Sequence, residues 1–195
     1  MDGKGDTRSD VELVAAINGG DWGAFDALYY RYREWAFRLA WRFCGNESDA
    51  ADAVQEVFVY LAGKFRGGGG EGGRNVGLTM TAGLTSLLYP AVKHTALALK
   101  RKRLRLRALP EEIAIPALPA GEEPSAARAE LAVVLGGLSE AHREVLLMRF
   151  VDDMSLEEIA TALAIPLGTA KSRLHHALAG VREDGAVMRH LGVDD

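Results

Sequence analysis

The segment GTAKSRLHHAL, Gly168 to Leu178, holds the side chains of this chain best suited to meeting a polyanion. With Leu174 as the buried direction of a helix, Thr169, Ser172, His176 and Ala179 point away from it, flanked by Lys171, Arg173 and His175. No acid occurs between Glu158 and Arg182. A small, polar and basic face of this kind suits the major groove of DNA. Lys171 and Arg173 would neutralise phosphates there, while Thr169, Ser172, His175 and His176 are short or planar enough to meet base edges. The competing reading is a helical hairpin with a polar outside and no partner.

A second cluster is acidic. At about 100° per residue, Val54, Val57, Phe58 and Leu61 fall on one side of a helix from Asp49 to Leu61. Asp49, Asp52, Glu56 and Val59 fall on the other, with Gln55 at the border. Solvation explains the acids cheaply, yet a valine exposed among them is more typical of a docking surface. The third cluster is basic: seven Lys or Arg and no acid lie from Lys93 to Arg107, followed by five Glu against one Arg from Glu111 to Glu130. The net charge of −4 conceals this segregation. An isolated basic run is usually a solvated helix face, whereas beside the other two clusters it is a stripe able to track phosphates.

Catalytic and metal chemistry find no support. His94, His142, His175, His176 and His190 show no HExxH spacing, no P-loop occurs, and Cys44 has no evident base partner. Adjacent His175 and His176 diverge by about 100° on a helix, a poor metal clamp. No enzyme activity, metal or cofactor is therefore expected. A single cysteine forms no internal disulfide, which points to a reducing, cytoplasmic location. The start, MDGKGDTRSD, has no apolar core behind a basic end, so no secretory signal is expected. The 18 uncharged residues from Asn75 to Val92, ahead of KRKRLRLR, imitate a membrane span. Asn75, Gly77, Thr79, Thr81, Gly83, Thr85, Ser86 and Pro90 interrupt its apolar surface, so no membrane insertion is expected.

The elements that must position these clusters read as helices. The 195 residues, 48% hydrophobic and 26% charged, suffice for one or two globular domains. No sustained period-two alternation asks for a sheet, so the expected fold class is all-α. Nine of the 22 glycines lie between Gly63 and Gly83, and four of the six prolines between Pro110 and Pro124. They mark a long loop over 66–83 and a linker over 108–125, which divides a helical domain over 10–107 from a second over 126–190.

In the first domain, Asp10 is placed to cap VELVAAIN and Asp21 to cap a long helix. Phe25, Leu28, Tyr29, Tyr32, Trp35, Ala36, Leu39 and Phe43 recur along that helix before Gly45 and Asn46 stop it. Trp22, Trp35 and Trp41 read as core packing. In the second domain, Ser139 caps one helix, and Ser155 with Glu158 forms a capping box opening another. A turn at Ile165 to Gly168 then leads into the segment described first. Leu156, Ile159, Ala160 and Leu163 face Ala170, Leu174, Ala177, Leu178 and Val181, which is helix-turn-helix grammar.

The run LSEAHREVLLMRFVDDMSLEEIATALAIPLGTAKSRLHHAL resembles region 4 of bacterial RNA polymerase sigma factors of the extracytoplasmic-function class. GDWGAFDALYYRY, DAADAVQEVFVYL and LLYPAVKHTALALKRKR resemble region 2 of the same family. The resemblance implies two small helical domains, a region 2 bundle and a region 4 helix-turn-helix, joined by the proline-rich linker, in a non-enzymatic initiation factor. It implies that region 2 docks on the clamp helices of the polymerase beta-prime subunit and opens DNA at the minus-10 element. Region 4 would read the minus-35 element and meet the beta flap, and an anti-sigma factor is a further candidate partner.

Carried over by position, Asp49, Asp52, Gln55 and Glu56 face the polymerase, and Tyr89, Lys93, His94, Lys100 and Arg101 meet minus-10 DNA. Thr169, Lys171, Ser172, Arg173, His175 and His176 meet minus-35 DNA. The chain departs from the family pattern at Leu87, where a tryptophan is usual, and at His94, where an asparagine is usual. Pro90, inside the expected helix, should kink or restart it. The loop over 66–83 is longer and richer in glycine than the family's connection, and its Arg74 and Asn75 are candidates for contacting the displaced strand. A helix-turn-helix regulator with a helical sensor or dimerisation domain is the competing class, although the front half shows no sensor pattern.

Overall fold

The computed structural model describes residues 5–66, 82–106 and 126–182. Most of the expected loop and the whole linker lie outside them, as do Arg74, Asn75 and His190. Every regular element among the described residues is a helix, and none is long and apolar enough to cross a membrane.

The chain divides into two compact units, Met1–Glu112 and Ile113–Asp195. In the first, α1 (Asp10–Asn18) is capped by Ser9 rather than Asp10. The Ser9 hydroxyl accepts from the Glu12 amide, and the Glu12 carboxylate accepts from the Ser9 amide at 2.7 Å. Asp10 is already inside the helix, where it pairs with Arg31 at 2.6 Å and accepts from the Tyr32 hydroxyl. Asp21 caps α2 (Trp22–Cys44) through the Ala24 amide, and Gly45 ends it with φ 76°, a left-handed conformation that costs other residues a Cβ clash. Next come α3 (Glu47–Arg66), longer at both ends than the periodic stretch alone indicates, and α4 (Leu84–Leu106). Helix α4 runs through Pro90 instead of restarting there; the proline only withholds an amide from the preceding turn.

Helix α2 packs on α1, α3 and α4, and α3 packs on α4. The buried stripe of α2 is built from Ala24, Ala27, Leu28, Ala36, Leu39 and Ala40, small enough for neighbouring helices to approach closely. Trp22, Trp35 and Trp41 are consequently pushed to the flanks and are half-buried, not in the core as their size suggested. The aromatic centre is Phe58, which meets Tyr29 and Phe25 edge-on with centroids 5.0 and 6.4 Å apart.

Ahead of α1, Arg8 pairs with Asp6 at 2.6 Å and with Asp21 at 3.0 Å. Its hydrogen bond holds the Asp6 carboxyl at about 2, below the ordinary 3.8. A carboxyl depressed in the folded state stabilises above its unfolded value and loses that contribution as pH falls through the folded one. Asp6→Asn is therefore expected to cost stability at pH 7, where the contribution is fully present, to cost little near pH 2, and so to remove part of the acid sensitivity of urea unfolding between about pH 4 and 2.

The second unit contains α5 (Ala126–Gly137), α6 (Glu140–Phe150), α7 (Leu156–Ala162) and α8 (Leu167–Arg182). Ser139 caps α6, and Ser155 with Glu158 forms the expected capping box of α7. The turn between α7 and α8 spans 163–166, earlier than the glycine suggested, because Leu167 and Gly168 are already helical. Helix α8 packs on α5, α6 and α7 around Leu135, Leu146, Leu147, Ala177 and Val181. Arg143 closes the α5–α6 junction by donating to the carbonyls of Leu135, Gly136 and Leu138 at 2.6, 3.2 and 2.9 Å. These are carbonyls that a helix end otherwise leaves unpaired.

Candidate functional site

The outer face of α8 follows from what its inner face buries. Ala170, Ala177 and Val181 are buried and Leu174 and Leu178 half-buried, which turns Lys171, Ser172, His175 and His176 to solvent with Thr169 and Arg173 half-exposed at the edges. All six residues expected to meet DNA thus share one side of one helix. His176 is held in place: its Nδ1 lies 2.7 Å from the Ser172 carbonyl, and its ring is nearly parallel to that of His142 on α6, 10° between planes with centroids 5.8 Å apart. His175 meets His176 edge-on at 5.7 Å.

On α3, Asp52, Gln55 and Glu56 are exposed and Val59 is 66% exposed, while Val54, Val57, Phe58 and Leu61 are buried. Asp49 departs from that group. Its side chain retains only 15% exposure, pairs with Arg103 of α4 at 2.9 Å and accepts from the Asn46 amide group at 2.7 Å. Arg103 in turn donates to the Cys44 carbonyl at 2.9 Å, so the pair ties the ends of three helices together. Asp49 is a structural anchor, and only Asp52, Gln55 and Glu56 of the four remain presented outward. Asp49→Ala is expected to cost about 1–3 kcal/mol in urea unfolding, because Arg103 loses a charged partner in a half-buried place.

Two features of α3 escaped sequence reasoning. Tyr60 is 58% exposed beside Val59, with the Lys64 ammonium 5.2 Å from its ring centre. Two consecutive large apolar residues on the polar side were the available signal. A groove of about 730 Å³ also runs between α2 and α3, lined by residues that include Arg33, Phe37, Gln55 and Val59.

Helix α4 sorts the basic stripe. Tyr89, expected at DNA, is 1% exposed and packs edge-on against Phe43. The reason is legible in the spacing of Leu84, Leu88, Val92 and Ala96, a buried stripe on which Tyr89 falls. Lys93 is half-buried with its ammonium 5.6 Å from the Phe43 ring centre, and Lys100 is half-buried. His94 and Arg101 are exposed, as are Lys102 and Arg105, which were passed over within the stripe. Leu87 is 39% exposed where the resembled family carries its tryptophan.

Residues 28–69 match Sigma-70 region 2 and residues 134–183 match Sigma-70, region 4. The RNA polymerase sigma factor SigV of Bacillus subtilis is 30% identical over 146 residues, 75% of this chain and 81% of that protein. An RNA polymerase sigma-E factor of Streptomyces avermitilis is 31% identical over 162 residues, covering 80% and 82%. The ECF RNA polymerase sigma factor SigE of Mycolicibacterium smegmatis is 28% identical over 173 residues, 82% of this chain and 61% of that longer protein.

Among solved structures, CnrH in complex with the cytosolic domain of CnrY superposes with a TM-score of 0.61 at 22% identity, covering 89% of this chain and 95% of that one. The sigma factor RpoE of Bartonella quintana, in complex with the anti-sigma factor NepR, gives 0.54 at 20% identity, covering 88% and 98%. Both likenesses concern the fold. With regions 2 and 4 both matched and in order, the chain belongs to the sigma-70 family of RNA polymerase sigma factors, in its extracytoplasmic-function class. It is a factor for transcription initiation.

Proposed function

We propose that the two units divide promoter recognition between them, a polymerase-docking and minus-10 domain over 10–107 and a minus-35 domain over 126–190. Asp52, Gln55 and Glu56, with Val59 among them, meet the beta-prime clamp helices, where acids give register and faster encounter with a basic partner. His94, Lys100 and Arg101, joined by Lys102 and Arg105 and flanked by Lys93, follow the phosphates of the opened minus-10 strand. Thr169, Lys171, Ser172, Arg173, His175 and His176 enter the major groove at minus-35, and the second unit also meets the beta flap. The chain performs no reaction itself and acts in the cytoplasm. An anti-sigma factor is a fitting antagonist, since the two solved relatives above are held by a partner protein.

The observation that carries this reading is the acid-free outer face of α8, with six polar or basic side chains on one side of a helix-turn-helix. Run-off transcription with core RNA polymerase and a promoter library tests it. Specific starts should appear only when the chain is added. Transcripts indifferent to the chain, or sequence-specific regulation without polymerase binding, would favour the regulator class instead.

A further inference from the structure

The chemistry of the His176 ring is fixed by its surroundings. A backbone carbonyl only accepts, so the 2.7 Å contact to the Ser172 carbonyl, much shorter than the 3.4 Å to the Ser172 hydroxyl, places the proton of the neutral ring on Nδ1, and the hydroxyl is left to accept there. Nε2 is then left as a lone-pair acceptor at the exposed end of the ring. The orientation is fixed as well. His142 is the third residue of α6, its backbone amide donates to the Ser139 cap, and its side chain forms a nearly parallel stack with His176. His175 meets the ring edge-on. An i to i+4 bond within α8, a stack from α6 and an edge contact leave this long polar side chain little freedom. Little ordering is therefore left to be done on binding.

We infer that His176 reads one base of the upstream promoter element by accepting from an exocyclic amino group, and that His142, outside the reading helix, is a positioning residue for it. In the major groove the donors are the N4 amino group of cytosine and the N6 amino group of adenine, whereas guanine and thymine present only acceptors at the equivalent edge. The preference is accordingly for C or A over G or T at one position of the contacted strand. The inference rests on α8 lying in the groove, as proposed above.

The experiment uses the full chain with core RNA polymerase and a promoter library randomised over the upstream element. The unaltered chain should favour C or A at one position by about tenfold, and His176→Ala should flatten that position alone. His176→Arg, which only donates, should swing the preference to G. His142→Ala should blur the same position, while His142→Phe, which keeps a flat ring against His176, should restore it.

The inference is overturned if that position prefers G or T, if His176→Ala moves no position, or if His142→Ala lowers all promoters alike together with thermal stability. Lys171→Ala separates the two levels. If it weakens transcription across all sequences while His176→Ala changes no preference, α8 lies in the groove and only the assignment of His176 and His142 falls. If neither has any effect, the placement of α8 on DNA falls with it.

Discussion

Asp52→Lys together with Glu56→Lys is expected to weaken binding to core RNA polymerase by at least about tenfold while thermal unfolding stays where it is. Both side chains are exposed on α3, and among the described residues neither makes an ion pair, so nothing folded depends on their sign. The double reversal turns two attractions into two repulsions, and juxtaposed like charges at an interface cost several kcal/mol. Because the groups stand in water, salt must shrink the effect. A competition titration against core enzyme should show a wide gap between the two proteins at low ionic strength and a narrower one at several hundred millimolar. Unchanged affinity at low salt would move the docking surface elsewhere, with the α2–α3 groove and Tyr60 the next places to look.

Leu146→Ala is expected to have the largest effect on stability, about 2–5 kcal/mol. Leu146 is 1% exposed in the cluster that joins α5, α6 and α8, so the cavity opens where α8 is held. A unit of this size has only a few kcal/mol of net stability to lose, so much of it should be unfolded at 37 °C. The distribution of tryptophan makes this measurable, because all three, Trp22, Trp35 and Trp41, lie in the first unit. Fluorescence should follow an unaltered first unit while circular dichroism loses helix at much lower urea. Leu146→Met, nearly equal in volume, should cost less than about 1.5 kcal/mol. Coincident shifts of both signals would show that the units unfold as one.

Signals that act within one helical turn were readable from the chain. Ser155 and Glu158, Ser139, Asp21 and Gly45 are local devices, and each does what its type and place indicate. Ser9 displaced Asp10 because two good caps stood side by side and only one could have Glu12 three residues on. The faces of α3 and α8 followed from period alone, since their apolar residues recur at regular helical spacing. One miss involves a partner far away in sequence. Asp49 turned inward because Arg103, 54 positions later, reaches it, and no local pattern announces such a pair. Tyr89 was assigned by analogy of position, although its own helix periodicity already placed it inside.

Contacts within the first unit join helices that are consecutive, or nearly so, along the chain, with α2 against α1, α3 and α4 and α3 against α4. Domains so dominated by local contacts fold in microseconds to milliseconds, whereas ribosomes add about 5–20 residues per second. The first unit ends at Glu112, and α8 begins only at Leu167, so several seconds of synthesis separate them. A nascent chain therefore displays α3, folded and complete, before α8 exists. On the division of roles proposed above, each ribosome-bound copy is for those seconds a ligand for the polymerase that is unable to choose a promoter. A captor of the first unit present at translation would meet it before the whole factor ever forms.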